Sequence, residues 1–252
     1  MFRFILIMIG LVLFLLVTIP IQLIMLIVRL FSKRASACAS LTIVSGAFHL
    51  LKFIAGTKVT YRGLENVPKD EAVLYVMNHR SYFDIITTYP KAKRPTGYIS
   101  KDGLAKVPSL SWWMRLLGCG FMDRKDIKKG LQTINESAEK IKNGFSITIC
   151  PEGTRNKTND PLMEFKGGAL KIAEKAGCKI VPVVCNGTDE VWEKQFPKIR
   201  PTKVLVEYLP PIDVGAMDKA QRKGLTDMVH KCMWDCYVRN DQERKESAKQ
   251  GK

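Results

Sequence analysis

The sequence predicts an α/β fold, a mixed and mainly parallel sheet flanked by helices and preceded by a hydrophobic helical pair. Two observations carry that expectation. From residue 56 onward, short apolar runs alternate with amphipathic stretches, the order that lays helices over the faces of a sheet. Ahead of them, no charged residue occurs between Phe4 and Val28. A chain of 252 residues can bury a substantial core, and this one shows no internal repeat or long linker. The expected divisions are a membrane-anchoring segment over 1–55, a catalytic domain over 56–240, and a charged, disordered tail over 241–252.

A straight helix over Phe4–Val28 covers about 37 Å at 1.5 Å per residue, more than a hydrocarbon core of about 30 Å. Pro20 predicts a kink within it. Arg29, Lys33 and Arg34 follow at once and favour the cytoplasm for everything downstream. The apolar region is longer than that of a cleaved signal peptide, although the small residues in Ala35–Ser40 leave that alternative open. In Ser36–Ala55, Leu41, Val44, Phe48, Leu51 and Ile54 recur at helical spacing. Such a helix either lies in the membrane interface or packs back on the first. An anchor of this kind is expected to be separable, so that removing residues 1–31 leaves the catalytic residues in place.

Lys58–Tyr61, Ala72–Met77, Gly97–Ser100, Gly120–Met122, Phe145–Ile149, Lys179–Val184 and Lys203–Tyr208 read as strands. The clearest helix precedes Phe145. Asp126 caps it, Ile127, Leu131, Ile134, Ala138 and Ile141 line one face, and Gly144 stops it. A second helix runs from about Gly168 to Ala176 and closes at Gly177, and a longer one spans roughly Asp218 to Val238. Pro182 interrupts an apolar strand, which predicts an edge position or a bulge there.

Lys and Arg number 40 against 24 acids, a net charge of +16 that implies an anionic partner. No zinc spacing, RNP-like aromatic motif or helix-turn-helix supports nucleic acid. The seven cysteines are scattered, odd in number and without a Cys-x-x-Cys pair, so they read as reduced residues of a cytosol-facing domain. No metal site is expected, and Cys232 and Cys236 have only His230 near them.

The most informative stretch is Asn78-His79-Arg80-Ser81-Tyr82-Phe83-Asp84. On one continuous helix the histidine and aspartate lie about 500° apart and cannot meet. They meet only if His79 leaves a strand end and Asp84 sits one turn into the next helix. An imidazole oriented by a carboxylate is the base half of a catalytic triad, and no Gly-x-Ser-x-Gly elbow accompanies it. The nucleophile is then a substrate hydroxyl that His79 deprotonates. A capping histidine with an ordinary first-turn acid is the alternative. Pro151-Glu152-Gly153-Thr154-Arg155 follows another strand, where open α/β sheets place ligand crevices. There Arg155 offers a planar fork to a phosphate, with Thr154 and the Gly153 N–H as further donors, or else is a surface arginine on a polar turn. Arg124 and Lys101 also follow strands and join Arg80 on the same rim.

These motifs in this order resemble the 1-acyl-sn-glycerol-3-phosphate acyltransferase (lysophosphatidate acyltransferase) family of glycerolipid enzymes. Asn78-His79-x-Ser81-x-x-Asp84 matches its first motif and Gly120-Phe121-Met122-Asp123-Arg124 its second. Pro151-Glu152-Gly153-Thr154-Arg155 matches the third and Val181-Pro182-Val183 the fourth. Cys150 stands where an aromatic residue is usual, and Asn156 where a serine is. The resemblance implies a glycerolipid-acyltransferase-like fold and direct transfer without an acyl-enzyme. His79 takes the proton of the acceptor's 2-hydroxyl and Asp84 supports the imidazole. Arg124, Arg155 and Lys101 hold the phosphate, while Asn78, Ser81, Glu152, Gly153, Thr154 and Pro182 shape the site. It further implies lysophosphatidate as acceptor and acyl-CoA or acyl-carrier protein as donor, with no cofactor. The setting is a lipid bilayer with the catalytic domain toward the cytoplasm, at a bacterial cell membrane or the endoplasmic reticulum of a eukaryote. Another acceptor, such as glycerol-3-phosphate or a different lysolipid, and a non-catalytic lipid-binding role are the alternatives.

Overall fold

The computed structural model describes residues 1–250, with side chains as far as residue 247. It opens with α1 (Phe2–Val17), α2 (Ile19–Phe31) and α3 (Lys33–Ala55). Next come β1 (Lys58–Arg62), β2 (Leu74–Met77), α4 (Phe83–Thr88), β3 (Thr96–Lys101), α5 (Leu110–Leu116) and β4 (Gly120–Met122). Then follow α6 (Ile127–Lys142), β5 (Ser146–Ile149), α7 (Lys171–Ala176), β6 (Lys179–Asn186) and β7 (Lys203–Tyr208). The chain ends with β8 (Ile212–Asp213), α8 (Lys219–Lys223) and α9 (Leu225–Gln250).

The strands form one sheet in the order β1-β7-β6-β2-β5-β3-β4, with β8 also paired to β6. Only the β6–β7 and β6–β8 pairs are antiparallel, so the sheet is mixed and mainly parallel. Side-chain alternation explains its two covered faces. Along β2, Tyr75 and Met77 enter one core with α1, α3, α4 and α5, while Leu74 and Val76 enter the other with α6, α7 and α9. β6 repeats the pattern, with Val181, Val183 and Cys185 on the first side and Ile180 and Val184 on the second.

Pro182 lies in β6, between β2 and β7, and not on an edge strand. Its carbonyl accepts from the Leu209 N–H at 2.9 Å, and the nitrogen and oxygen of one strand residue face the same way. Its missing N–H therefore points into the gap between the end of β7 at Tyr208 and the start of β8 at Ile212. An interior strand is open there for a few residues, and that is where proline fits.

The helix signals hold at α6, where Asp126 accepts from the Lys128 and Lys129 N–H groups, and at α7, which ends at Gly177 with φ +65°. The expected single helix from Asp218 is instead two, divided at Gly224. The expected disorder after 240 is replaced by helix as far as Gln250, and residues 251–252 lie outside the described ones. Ion pairs explain the difference. Arg62 meets Glu243 at 2.6 Å, Arg239 meets Glu207 at 2.7 Å and Arg244 meets Glu190 at 2.8 Å. Composition signalled a solvated tail, but its charges are spaced to reach β1, β7 and the loop after β6.

The apolar N-terminus is bent by 50° between α1 and α2, with Thr18 at the break and Pro20 in the first turn of α2. By length and composition α3 is sufficient to cross a membrane, and α1 with α2 passes the same test only as a bent pair. Ile9, Leu13, Leu16, Ile24 and Ile27 face outward and are exposed, as membrane association requires. The inward polar residues show that this segment is not a detachable anchor. Thr18 Oγ1 accepts from Trp113 Nε1 at 3.0 Å, and Gln22 Nε2 donates to Ser109 Oγ at 2.8 Å. Ser109 Oγ donates in turn to the Leu15 carbonyl at 2.6 Å. Arg3 reaches the Ala55 carbonyl at 2.9 Å. Removing residues 1–31 therefore takes away the hydrogen-bond partners that Trp113 and Ser109 find in this segment.

Thr18→Val makes the helical segment more apolar and would be silent in a free anchor. Here it leaves the buried Trp113 N–H unpaired, which costs about 1–3 kcal/mol. Unfolding of the protein in detergent should show that loss, and an unchanged midpoint would contradict the clamp.

Candidate active site

Strand register alone brings the motifs together. Val76 pairs with Ile149 in parallel, so His79 and Glu152 each lie three residues beyond a matched pair. Tyr98 pairs with Thr148 and Lys101 with Met122, which puts Lys101, Arg124 and Pro151–Arg155 at the same carboxyl edge. Ligands of open α/β sheets bind at this edge.

His79 and Asp84 do meet across the turn into α4. His79 Nδ1 lies 2.9 Å from Asp84 Oδ2, and the same oxygen accepts the Arg80 and Ser81 N–H groups, each at 2.8 Å. Thr188 Oγ1 donates to Asp84 Oδ1. A carboxylate only accepts, so the imidazole hydrogen sits on Nδ1 and the lone pair on Nε2. Asp84 is fully buried, whereas the His79 side chain keeps 19% of its surface exposed. The imidazole is thus held on one side and open on the other.

Glu152 is buried beneath His79. Its Oε1 accepts the His79 N–H at 2.7 Å and its Oε2 the Met163 N–H at 2.9 Å. Burial pushes its carboxyl up to about 6, against the pull of those two donors. It acts on the site through the His79 backbone. Gly153 turns the chain here with φ +74°, a conformation that side chains disfavour, and the Thr154 side chain is exposed. Asn78 is a brace as well: its amide pairs with the N–H and carbonyl of Cys185 at 2.8 and 3.0 Å, extending the β2–β6 pairing. Ser81 is buried, and its hydroxyl donates to Glu193 Oε2 at 2.6 Å.

The cations divide. Arg80 is buried and lines the cleft with its donors already engaged, by Asp189 at 3.0 Å and by the carbonyls of Thr158 and Asp160, both at 2.8 Å. Arg155 lies 4.2 Å over the Tyr82 ring and touches Glu193 Oε1 at 3.3 Å. Lys101 and Arg124 are exposed on the far side of the same edge. A cleft of about 650 Å³ opens beside the histidine, walled by Tyr82, Arg155, Lys157, Trp192, Glu193 and Phe196. His79 does not line it, although Arg80 and Tyr82 of the same turn do. Pro182 lies in the sheet interior and does not line it either. Among the described residues, no group of three or more His, Cys, Asp and Glu side chains is arranged to hold a metal.

The two departures from the resembled pattern have local explanations. Cys150 packs against the first core. Asn156 is buried, its N–H donates to the His79 carbonyl at 2.6 Å, and its Oδ1 accepts the Thr158 N–H at 2.8 Å. Sequence reasoning missed Thr188, Glu193 and Trp192. Thr188 follows the end of β6 and was reachable by the same strand-end argument, whereas nothing in sequence spacing ties Glu193 to Ser81.

Residues 58–186, just over half of the chain, match the family model described as Acyltransferase. The chain belongs to the acyltransferase family. It is 36% identical over 135 residues to a chloroplastic 1-acyl-sn-glycerol-3-phosphate acyltransferase of Arabidopsis thaliana, covering 53% of this chain and 37% of that one. To the 1-acyl-sn-glycerol-3-phosphate acyltransferase of Haemophilus influenzae it is 30% identical over 207 residues, covering 80% and 83%. Among solved structures, the 1-acyl-sn-glycerophosphate acyltransferase PlsC from Thermotoga maritima superposes with a TM-score of 0.70 at 25% identity, covering 81% of both chains. The acyltransferase chain spans less than two thirds of several relatives, from 37% of the A. thaliana protein to 57% of the Saccharomyces cerevisiae one.

Glu152 supplies a test of the site's electrostatics. Its folded value of about 6 lies above its ordinary 4.5, so the native state holds the proton more tightly than the unfolded chain. That stabilisation is complete below pH 4.5 and is lost as pH rises through about 6. Taking the pH from about 7 to about 5 should raise the Tm of the wild type relative to Glu152→Gln. A difference between the two that does not move with pH would refute the raised value.

Proposed function

We propose that this chain transfers a fatty acyl group from an acyl thioester to the 2-hydroxyl of 1-acyl-sn-glycerol-3-phosphate, giving phosphatidate for phospholipid synthesis. The observation that carries the reading is the His79–Asp84 pair, hydrogen-bonded at 2.9 Å with Nε2 free for a substrate, at the sheet edge that also carries Arg155. The curated names of the relatives support the acceptor.

In this mechanism Nε2 of His79 takes the proton of the acceptor hydroxyl as that oxygen bonds to the thioester carbon. The C–S bond breaks, and the departing thiolate takes up the proton from the imidazolium. Asp84 supports the positive charge on the ring during the exchange. Arg155, with Arg124 and Lys101 across the edge, holds the acceptor phosphate so that the hydroxyl is within reach. The donor is acyl-CoA or acyl-carrier protein. The exposed apolar faces of α1 and α2 sit in the bilayer that contains lyso-lipid and product, and Arg29, Lys33 and Arg34 keep the catalytic part on the cytoplasmic side.

His79→Ala should lose at least about 100-fold in kcat while remaining folded, the scale of general-base catalysis. Asp84→Asn should also lose activity, because the imidazole no longer has a charged partner. Purified protein in detergent with labelled acyl-CoA and a panel of lyso-acceptors reads both. A folded His79→Ala protein with near-normal turnover would remove the mechanism.

Arg155→Ala should impair lysophosphatidate as acceptor, through KM, kcat or both, and should affect an uncharged monoacylglycerol far less. Equal losses on the two acceptors would count against Arg155 as the phosphate ligand.

A further inference from the structure

Glu193 lies outside every motif read from the sequence, in the loop between β6 and β7, yet it reaches into the active-site turn. Its Oε2 accepts the Ser81 hydroxyl at 2.6 Å and its Oε1 the Tyr82 N–H at 2.9 Å. The same Oε1 meets Arg155 Nη1 at 3.3 Å. Arg155 in turn lies over the Tyr82 ring, its guanidinium carbon 4.2 Å from the ring centre. Trp192 backs the assembly, with its ring 5.5 Å from that of Tyr82. One carboxylate therefore touches the turn that carries the base and the arginine that faces the cleft.

The contacts are unequal. Ser81 and Tyr82 hold Glu193 at short range, so its position is set by the His79–Asp84 turn. The contact to Arg155 is longer and uses one of its five N–H donors. Ring and carboxylate together restrict the guanidinium plane while its other donors stay available to the cleft. A phosphate-binding arginine that moved freely would still attract an anion, but would not hold it at a set distance from His79.

From this geometry we infer that Glu193 is a positioning residue, which orients Arg155 so that an acceptor phosphate bound there presents its hydroxyl to His79. The inference rests on the acceptor reading proposed above and names a determinant of that site which no motif contains. It also has a sign that a purely structural role lacks. Glu193 partly neutralises Arg155, so removing its charge strengthens the attraction for phosphate while losing the alignment. Binding and turnover then move in opposite directions.

Glu193→Gln isolates that effect. Its carbonyl oxygen still accepts the Tyr82 N–H and its amide can donate to the Ser81 hydroxyl, so the turn is retained, while the charge-assisted hydrogen bond that holds the Arg155 guanidinium is reduced to a weaker neutral one and the plane is loosened. With lysophosphatidate, kcat should fall roughly ten- to hundredfold while KM stays level or falls, since misplacement acts on the oriented step. In an Arg155→Ala background the same change should alter kcat by less than about twofold, because the residue it orients is gone. Arg155→Lys keeps the charge without the planar fork and should reproduce the kcat loss, which covers the case of a poorly folded Glu193→Gln protein. Independent, multiplying losses from Glu193→Gln and Arg155→Ala would overturn the inference, as would wild-type kcat in Glu193→Gln. Failure of the acceptor reading looks different: the wild type then does not acylate lysophosphatidate, or Arg155→Ala leaves its kinetics unchanged.

Discussion

Four consecutive backbone N–H groups, from His79 to Tyr82, are bound by carboxylates. Glu152 takes that of His79, Asp84 those of Arg80 and Ser81, and Glu193 that of Tyr82. Buried backbone donors must be paired, and this turn between β2 and α4 offers them no strand or helix partner. The three acids come from α4, from the turn after β5 and from the loop after β6. The turn therefore cannot adopt its shape unless three separate parts of the fold are already in place. Everything the imidazole does depends on that constraint, because the ring orientation is inherited from the turn.

The sheet supplies the converse. Parallel strands β2, β5 and β3 end together, so loops distant in sequence arrive at one edge without any long excursion. Both faces of the sheet are buried, which leaves the edge as the place for polar chemistry. The same economy governs the N-terminus. One apolar face of α1 and α2 is turned outward, while their few polar residues, Thr18 and Gln22, face α5 and satisfy groups there. The apolar N-terminal segment and α5 are joined by buried hydrogen bonds, and such bonds are costly to leave unmade.

Much of this was legible in the sequence. The seven strands from Lys58 to Tyr208 were readable because each apolar run is short and bounded by turn residues. His79 and Asp84 were readable because only a strand-to-helix turn lets residues five apart meet. What escaped has a common physical cause. Pro182 was misplaced because its tolerance depends on a gap in a neighbouring strand, which no local pattern records. Arg80 read as a free rim cation, and although it lines the cleft its engagement was hidden, because its partner Asp189 is 109 residues away. The tail read as disordered because composition does not show that Glu243 and Arg244 align with Arg62 and Glu190. Glu193 was invisible for the same reason, lying 112 residues from Ser81.

A chain of net charge +16 might be expected to build its anion site from cations alone. Here the acids are the innermost charged groups. Asp84 and Glu152 are almost completely buried, each giving one oxygen to the turn and the other to Thr188 or to the Met163 N–H. Arg155 is half-buried, and Lys101 and Arg124 are exposed. The two signs have different tasks. Exposed positive charge attracts anions at long range, where precise geometry is not required. Buried negative charge binds backbone donors at short range, where geometry is all that matters. Exchanging the two would leave the turn without acceptors and the cleft without attraction. The layering follows from the need to gather an anion and yet hold a neutral imidazole nitrogen still beside it.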